Sequence, residues 1–123
     1  MVVISFFKEN TPYFPEDVFI MKETITLDTL VENKKYNFAD LIKADIQGCE
    51  MNLLKGAQKC LENATFLILE IPKQNIEYNL GAPKQHEIID YLKSIGWFAF
   101  APNFSSNPAD EDWAFVKMRK IKN

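Results

Sequence analysis

The stretch ADLIKADIQGCEMNLLKGA, Ala39–Ala57, changes hydrophobic period in its middle. Leu41, Ile42, Ala44 and Ile46 form a short apolar run of strand type. Gln47 and Gly48 then make a tight break. After it Cys49, Leu53, Ala57 and Cys60 recur at roughly helical spacing, widened by Met51, Leu54 and Leu61. The spacing predicts a strand over Asp40–Ile46 and one helix from about Cys49 to Leu61. Asp45 falls near the carboxyl end of that strand, where open α/β sheets bind ligands. The Asp45–Glu50 corner is therefore the first place to look for chemistry.

Two features of this strand call for explanation. Lys43 and Asp45 share one face, with Ile42, Ala44 and Ile46 on the other. A parallel strand covered on both sides is normally apolar throughout. Two charges need partners or a cleft, and for Lys43 a structural ion pair is the competing reading. Gly48 suits a positive φ or a close approach. Glu50 falls in the first turn of the helix, where the macrodipole favours a carboxylate. Gly56, inside the expected helix, costs ~1 kcal/mol relative to alanine and suggests close packing on the sheet.

Beyond this unit, Thr65–Ile71 (TFLILEI) is a buried strand in which Glu70 interrupts the apolar run near the carboxyl end. Two parallel strands joined by a helix make a right-handed unit, which would put Asp45 and Glu70 on one rim. Pro72 is expected to stop the ladder. A polar loop follows over Lys73–Pro83, with Asn75, Tyr78 and Asn79. Lys84–Ile95 reads as a second helix, with Ile88, Tyr91, Leu92 and Ile95 on one face and Gly96 as its C′ residue. His86, the single histidine, lies in its first turn. A lone histidine there is usually a surface or capping residue; beside a cleft it could act as a base. Trp97–Ala101 and Trp113–Met118 are expected as an antiparallel pair, joined by the turn-rich Pro102–Asp112.

The N-terminal third is harder to place. Pro12 and Pro15 exclude a helix interior. Val2–Phe7 is apolar enough for a strand, and Phe6, Phe7, Tyr13 and Phe14 would anchor a surface flap. Val18–Thr26 alternates loosely, like a strand or extended arm. Thr26 or Asp28 would cap a short helix at Thr29–Asn33. Residues 1–38 thus form a loop and arm region, and 39–123 a strand–helix–strand–helix–strand–strand core.

Composition narrows the possibilities. The 123 residues make one domain or less. With 47% hydrophobic residues the chain can build a core. A formal net charge of −3 argues against a general nucleic-acid binder, and the short basic stretch Lys117–Lys122 reads as a solvated end. No apolar run approaches the ~20 residues that span a membrane, and no signal peptide is expected from Val2–Phe7, which is too short and lacks a basic start. Cys49 and Cys60 would lie about 16 Å apart along one helix, too far for a disulfide. Two free cysteines fit a reducing, cytoplasmic setting. One histidine, two helix-face cysteines and scattered acids make no metal-ligand set.

Taken together, TLD at Thr26–Asp28, DLIKADIQGCE at Asp40–Glu50 and LLKGA at Leu53–Ala57 resemble the FkbM family of S-adenosylmethionine-dependent methyltransferases. Gln47 stands where glutamate is commoner in that pattern. LILEI (Leu67–Ile71), YNLGAP (Tyr78–Pro83) and DWAFVK (Asp112–Lys117) extend the resemblance, which runs from about Ser5 to Lys117. It implies an α/β fold: the C-terminal half of a class I, Rossmann-like methyltransferase, with a mostly parallel sheet and an antiparallel last strand. It further implies methyl transfer from S-adenosylmethionine to an oxygen of a sugar or other small molecule. Asp45 and Glu70, and less directly His86, are then candidates to orient the acceptor or take its proton. Lys43, Gln47, Gly48, Glu50, Tyr78 and Asn79 are candidates to border the substrate. Family members also carry a glycine-rich turn that cradles the cofactor. The four glycines here form no such cluster, so the cofactor-binding half is expected to be absent from this sequence. The chain would then work with an upstream half or a partner chain; the alternative is a non-catalytic binding module that uses the exposed sheet edge.

Overall fold

A computed structural model of the protein describes residues 7–10, 12, 20–101 and 108–118. The elements are α1 (Leu27–Lys34), β1 (Leu41–Ala44), α2 (Glu50–Lys55), α3 (Gln58–Asn63), β2 (Phe66–Pro72), α4 (Gln85–Ser94), β3 (Trp97–Ala101) and β4 (Asp110–Lys117). The four strands form one sheet in the order β1-β2-β4-β3. β1 and β2 are parallel, and β4 runs antiparallel to both β2 and β3. Three strands therefore point one way and the last is inserted between two of them.

Strand β2 supplies the core. Its alternation buries Leu67, Leu69 and Ile71 completely and leaves Phe66, Ile68 and Glu70 on the other face. The crossovers β1→β2 and β2→β3 advance in the same direction across the sheet. The right-handed rule then places their helices on one face. There Leu54 of α2, Cys60 and Leu61 of α3, and Ile88 and Leu92 of α4 close over β2, Trp97 and Phe115. The opposite face keeps Phe66 and Phe98 partly exposed, and Phe66 meets Phe100 edge to face. β1 lies at one edge of the sheet, with Leu41 51% exposed.

Several expectations are corrected by the structure. The helix over Cys49–Leu61 is two short helices, broken at Gly56 and Ala57. Gly56 is close to α1, not to the sheet: a Cβ there would meet Thr26 Cβ and Cγ2 at 3.0 Å. Pro72 does not stop the ladder but pairs with Asp110. The Lys73 N–H donates to Ala109 O. By the alternation of antiparallel pairs, Pro72 therefore falls at a non-hydrogen-bonded position, where its missing N–H costs nothing. Ile20–Thr26 form no strand and are exposed. Lys117 is not a solvated end: its ammonium donates to Leu61 O and Glu62 O, capping α3, and lies over the Trp97 ring. Of the expected Val2–Phe7 strand only Phe7 is described; the anchors Phe6, Tyr13 and Phe14 and the segment Arg119–Lys122 fall outside the described residues.

The TLD segment caps two helices. Thr26 caps α1, its Oγ1 accepting from Thr29 N. Asp28 caps α3 instead, its carboxylate accepting from Lys59 N and Cys60 N at 2.9 and 3.0 Å. The Asp28 N–H in turn donates to Gly56 O. Burial alone would raise the Asp28 pKa, but these two N–H donors hold it below the ordinary value. Burial, reinforced by the same carboxylate, pushes the Cys60 thiol up to about 11. Cys49 and Cys60 are both buried, and neither forms a disulfide.

Candidate functional site

Beyond Ala44 the chain leaves the sheet and turns sharply. Gln47 and Gly48 both take positive φ, 52° and 98°. A Cβ on Gly48 would meet Ala82 Cβ and Phe7 Cδ2 at 3.0 Å and Asn79 Cβ at 3.2 Å, so both reasons for a glycine hold. The turn is braced from within by Glu50. Only 2% exposed, its Oε1 accepts from Ile46 N and Gly48 N. Burial raises the Glu50 pKa despite those donors. Cys49, the α2 N-cap, makes no side-chain capping bond; the Glu50 carboxylate takes up the neighbouring N–H groups instead.

This turn forms one wall of a cleft at the carboxyl ends of β1 and β2. Asp45, Gln47, Gly48, Glu50, Glu70, Tyr78 and Asn79 all line it, with Pro83, Lys84 and Asp110. Seven of the nine residues singled out from sequence are thus brought together. The two others are not. Lys43 is exposed and lines a separate groove along the outer edge of β1. His86 is exposed on the first turn of α4 and does not line the cleft. Its neighbour Gln85 holds the inward position, donating to Pro72 O and to Glu111 Oε2.

Carboxyl groups dominate the chemistry. Gln47 Nε2 donates to Asp45 Oδ1 at 3.0 Å. Glu70 shares a hydrogen bond with Asp45. Burial, that bond and the Asp45 charge, reinforced by Asp110 and Asp112, push Glu70 up to about 8. At neutral pH Glu70 therefore holds a proton between negatively charged neighbours. Asp110 is 7% exposed and hydrogen-bonds with Glu70. Its pKa is raised by burial and by Asp45. Asp110 was not found from sequence. The acidic run Asp110-Glu111-Asp112 just before an apolar strand was the available signal. Alternation sorts the run: Asp110 and Asp112 lie on the Glu70 side, while Glu111 faces α4 and accepts from Trp113 Nε1 and Gln85. Among the described residues, no group of three or more His, Cys, Asp or Glu is disposed to hold a metal ion.

The third wall is the loop after β2, held by the N-terminal segment. Asn10 N donates to Tyr78 O, Asn10 Nδ2 to Glu77 O, and Leu80 N to Lys8 O. The Tyr78 hydroxyl hydrogen-bonds with Glu9. Burial together with that bond pushes Tyr78 up to about 12, so it stays a neutral phenol.

Such an arrangement can hold a hydroxylated or cationic group and accept a proton from it. Among the described residues, no helix is long and apolar enough to cross a membrane. No curated protein and no solved structure matches the chain. A family model described as the methyltransferase FkbM domain matches residues 9–97, which takes in every cleft residue named above except Asp110. With the matched segment spanning most of its length, the chain belongs to the FkbM methyltransferase domain family.

Proposed function

We propose that the cleft is the acceptor side of an S-adenosylmethionine-dependent O-methyltransferase of the class I, Rossmann-like type. The sheet order, with its last strand inserted antiparallel, supports that subclass. The carrying observation is the hydrogen-bonded Asp45–Glu70 pair at the carboxyl ends of two parallel strands. Methyl transfer to oxygen requires the acceptor to be aligned and its proton removed. Asp45, fixed by Gln47 and Glu70, orients the acceptor hydroxyl and takes its proton. Tyr78 and Asn79 border the acceptor, a sugar or another small polyol.

The described residues do not fit the cofactor as well as they fit the acceptor. Gly48 is filled in by Ala82, Phe7 and Asn79, and no second glycine stands beside it to cradle a nucleoside. The methyl donor is therefore held by a companion segment or partner chain docked along β1. The open edge of β1 and the partly exposed Phe66–Phe98 face support that arrangement. A second reading, a binding module without catalysis, is favoured by the apolar groove between α1 and β1, lined by Leu27, Val31, Leu41, Ile42 and Leu53.

The test is an amide NMR titration of the purified chain. A panel of monosaccharides and polyols should move Gln47, Gly48 and Asn79, and Asp45→Asn should weaken that response. S-adenosylhomocysteine should leave the spectrum unchanged. Saturable binding of S-adenosylhomocysteine would show a cofactor site in this chain and refute the division of labour. A response to acceptors confined to the β1 groove would favour the binding module.

A further inference from the structure

Strand β4 contributes a group that the family match does not reach, since the matched residues end at 97. Because β4 is inserted between β2 and β3, its first residues arrive beside the carboxyl end of β2. Asp110 pairs with Pro72 and Asp112 with Glu70. All four side chains share one face of the sheet, and Asp110 stands diagonally across from Glu70, within reach of a long side chain. Of the two aspartates only Asp110 is buried and lines the cleft. Leaving a carboxylate there without a partner would be costly; its partner is Glu70.

We infer that Asp110 is a positioning residue for Glu70: by hydrogen bonding across the sheet it fixes the Glu70 carboxyl and its proton, leaving Asp45 to face the acceptor. The inference rests on the acceptor-site reading for its purpose, but not for its geometry. An acceptor hydroxyl bound in the cleft would pass its proton to Asp45. A second free proton acceptor at Glu70 would compete for the same proton; Asp110 removes that competition. The other groups facing Glu70 are Asp45 from the end of β1, Asp112 from β4 and Tyr78 from the loop after β2. Glu50 and Glu9 are within electrostatic reach of Asp110, and Lys84 lines the same cleft.

Side-chain carboxyl 13C NMR over a pH titration of the unmodified chain tests this without cofactor, acceptor or turnover. Its failure is therefore distinct from failure of the methyl-transfer reading. Glu70 should titrate well above ordinary carboxylates, and the Asp110 curve should show a second inflection at the Glu70 midpoint. In Asp110→Asn the Glu70 midpoint should fall by about one pH unit or more, while Asp112→Asn should move it by less than half as much. A Glu70 midpoint in the ordinary range, an Asp110 curve without the second inflection, or equal shifts in the two variants would each overturn the assignment. The first two readouts need no variant, so they stand even if Asp110→Asn fails to fold.

Discussion

Replacing Gly48 by alanine should be among the more damaging single-methyl changes in this chain, and the structure says why in two separable parts. The first is backbone. At φ 98° a residue with a Cβ costs roughly 1–2 kcal/mol. The second is space. The new methyl would meet Ala82 Cβ and Phe7 Cδ2 at 3.0 Å and Asn79 Cβ at 3.2 Å. Phe7 can swing aside, but Ala82 has no freedom except through its backbone, and such overpacking typically adds about 1–3 kcal/mol. Gly81→Ala supplies the control. Its φ is 78° and nothing lies within 4 Å of the added Cβ, so only the backbone part applies. The expected losses are about 2–5 kcal/mol for Gly48→Ala and about 1–2 for Gly81→Ala. At about 4 °C per kcal/mol for a chain of this size, the two melting temperatures should separate clearly. Urea denaturation with both variants at one pH measures the two free-energy losses directly, with the slope checked for constancy. Equal midpoints for the two variants would refute the claim that the Gly48 turn is packed against the loop after β2.

Two further outcomes follow from the acids. A carboxyl with a raised folded-state pKa binds more protons folded than unfolded, so stability falls as pH rises between its two pKa values. For Glu70 that window runs from the ordinary 4.5 to about 8. Urea midpoints should decline across it in the unmodified chain and decline less in Glu70→Gln; parallel profiles would dismiss the shared proton. Glu50→Ala strips the Ile46 and Gly48 N–H groups of their acceptor and should cost about 2 kcal/mol. Glu50→Gln keeps an acceptor oxygen and should restore most of it, as read by the same denaturation.

The parts legible in the sequence were those set by local period and by chain direction. The switch of period around Gln47–Gly48 placed the turn, and the handedness of the crossover placed Asp45 and Glu70 on one rim. Other features depend on partners far along the chain. The break at Gly56 answers to Thr26, thirty residues earlier. The tolerance of Pro72 depends on its register with Asp110, and Asp110 enters the cleft only because β4 inserts beside β2. His86 and Lys43 were misplaced by small angles and distances. One residue along a helix is a turn of about 100°, enough to give Gln85 the inward position that His86 lacks. Lys43 sits inside β1, while the cleft starts only past Ala44.

The clasp between Asp28 and the first turn of α3 has a consequence for how the chain comes apart. α1 buries no residue fully; Leu27 and Val31 pack against the core from partly exposed positions and Glu32 pairs with Lys59 of α3, so this clasp and the contact of Thr26 with Gly56 are a large part of what keeps it in place. Releasing α1 strips α3 of its cap, and unravelling the start of α3 takes away the groups that hold Asp28. The two helices, remote in sequence, form one opening unit with a shared free energy. Amide protons in α1 and at the start of α3 would then exchange with solvent in step, as a single door hinged on Gly56, while β2 behind them stays shut.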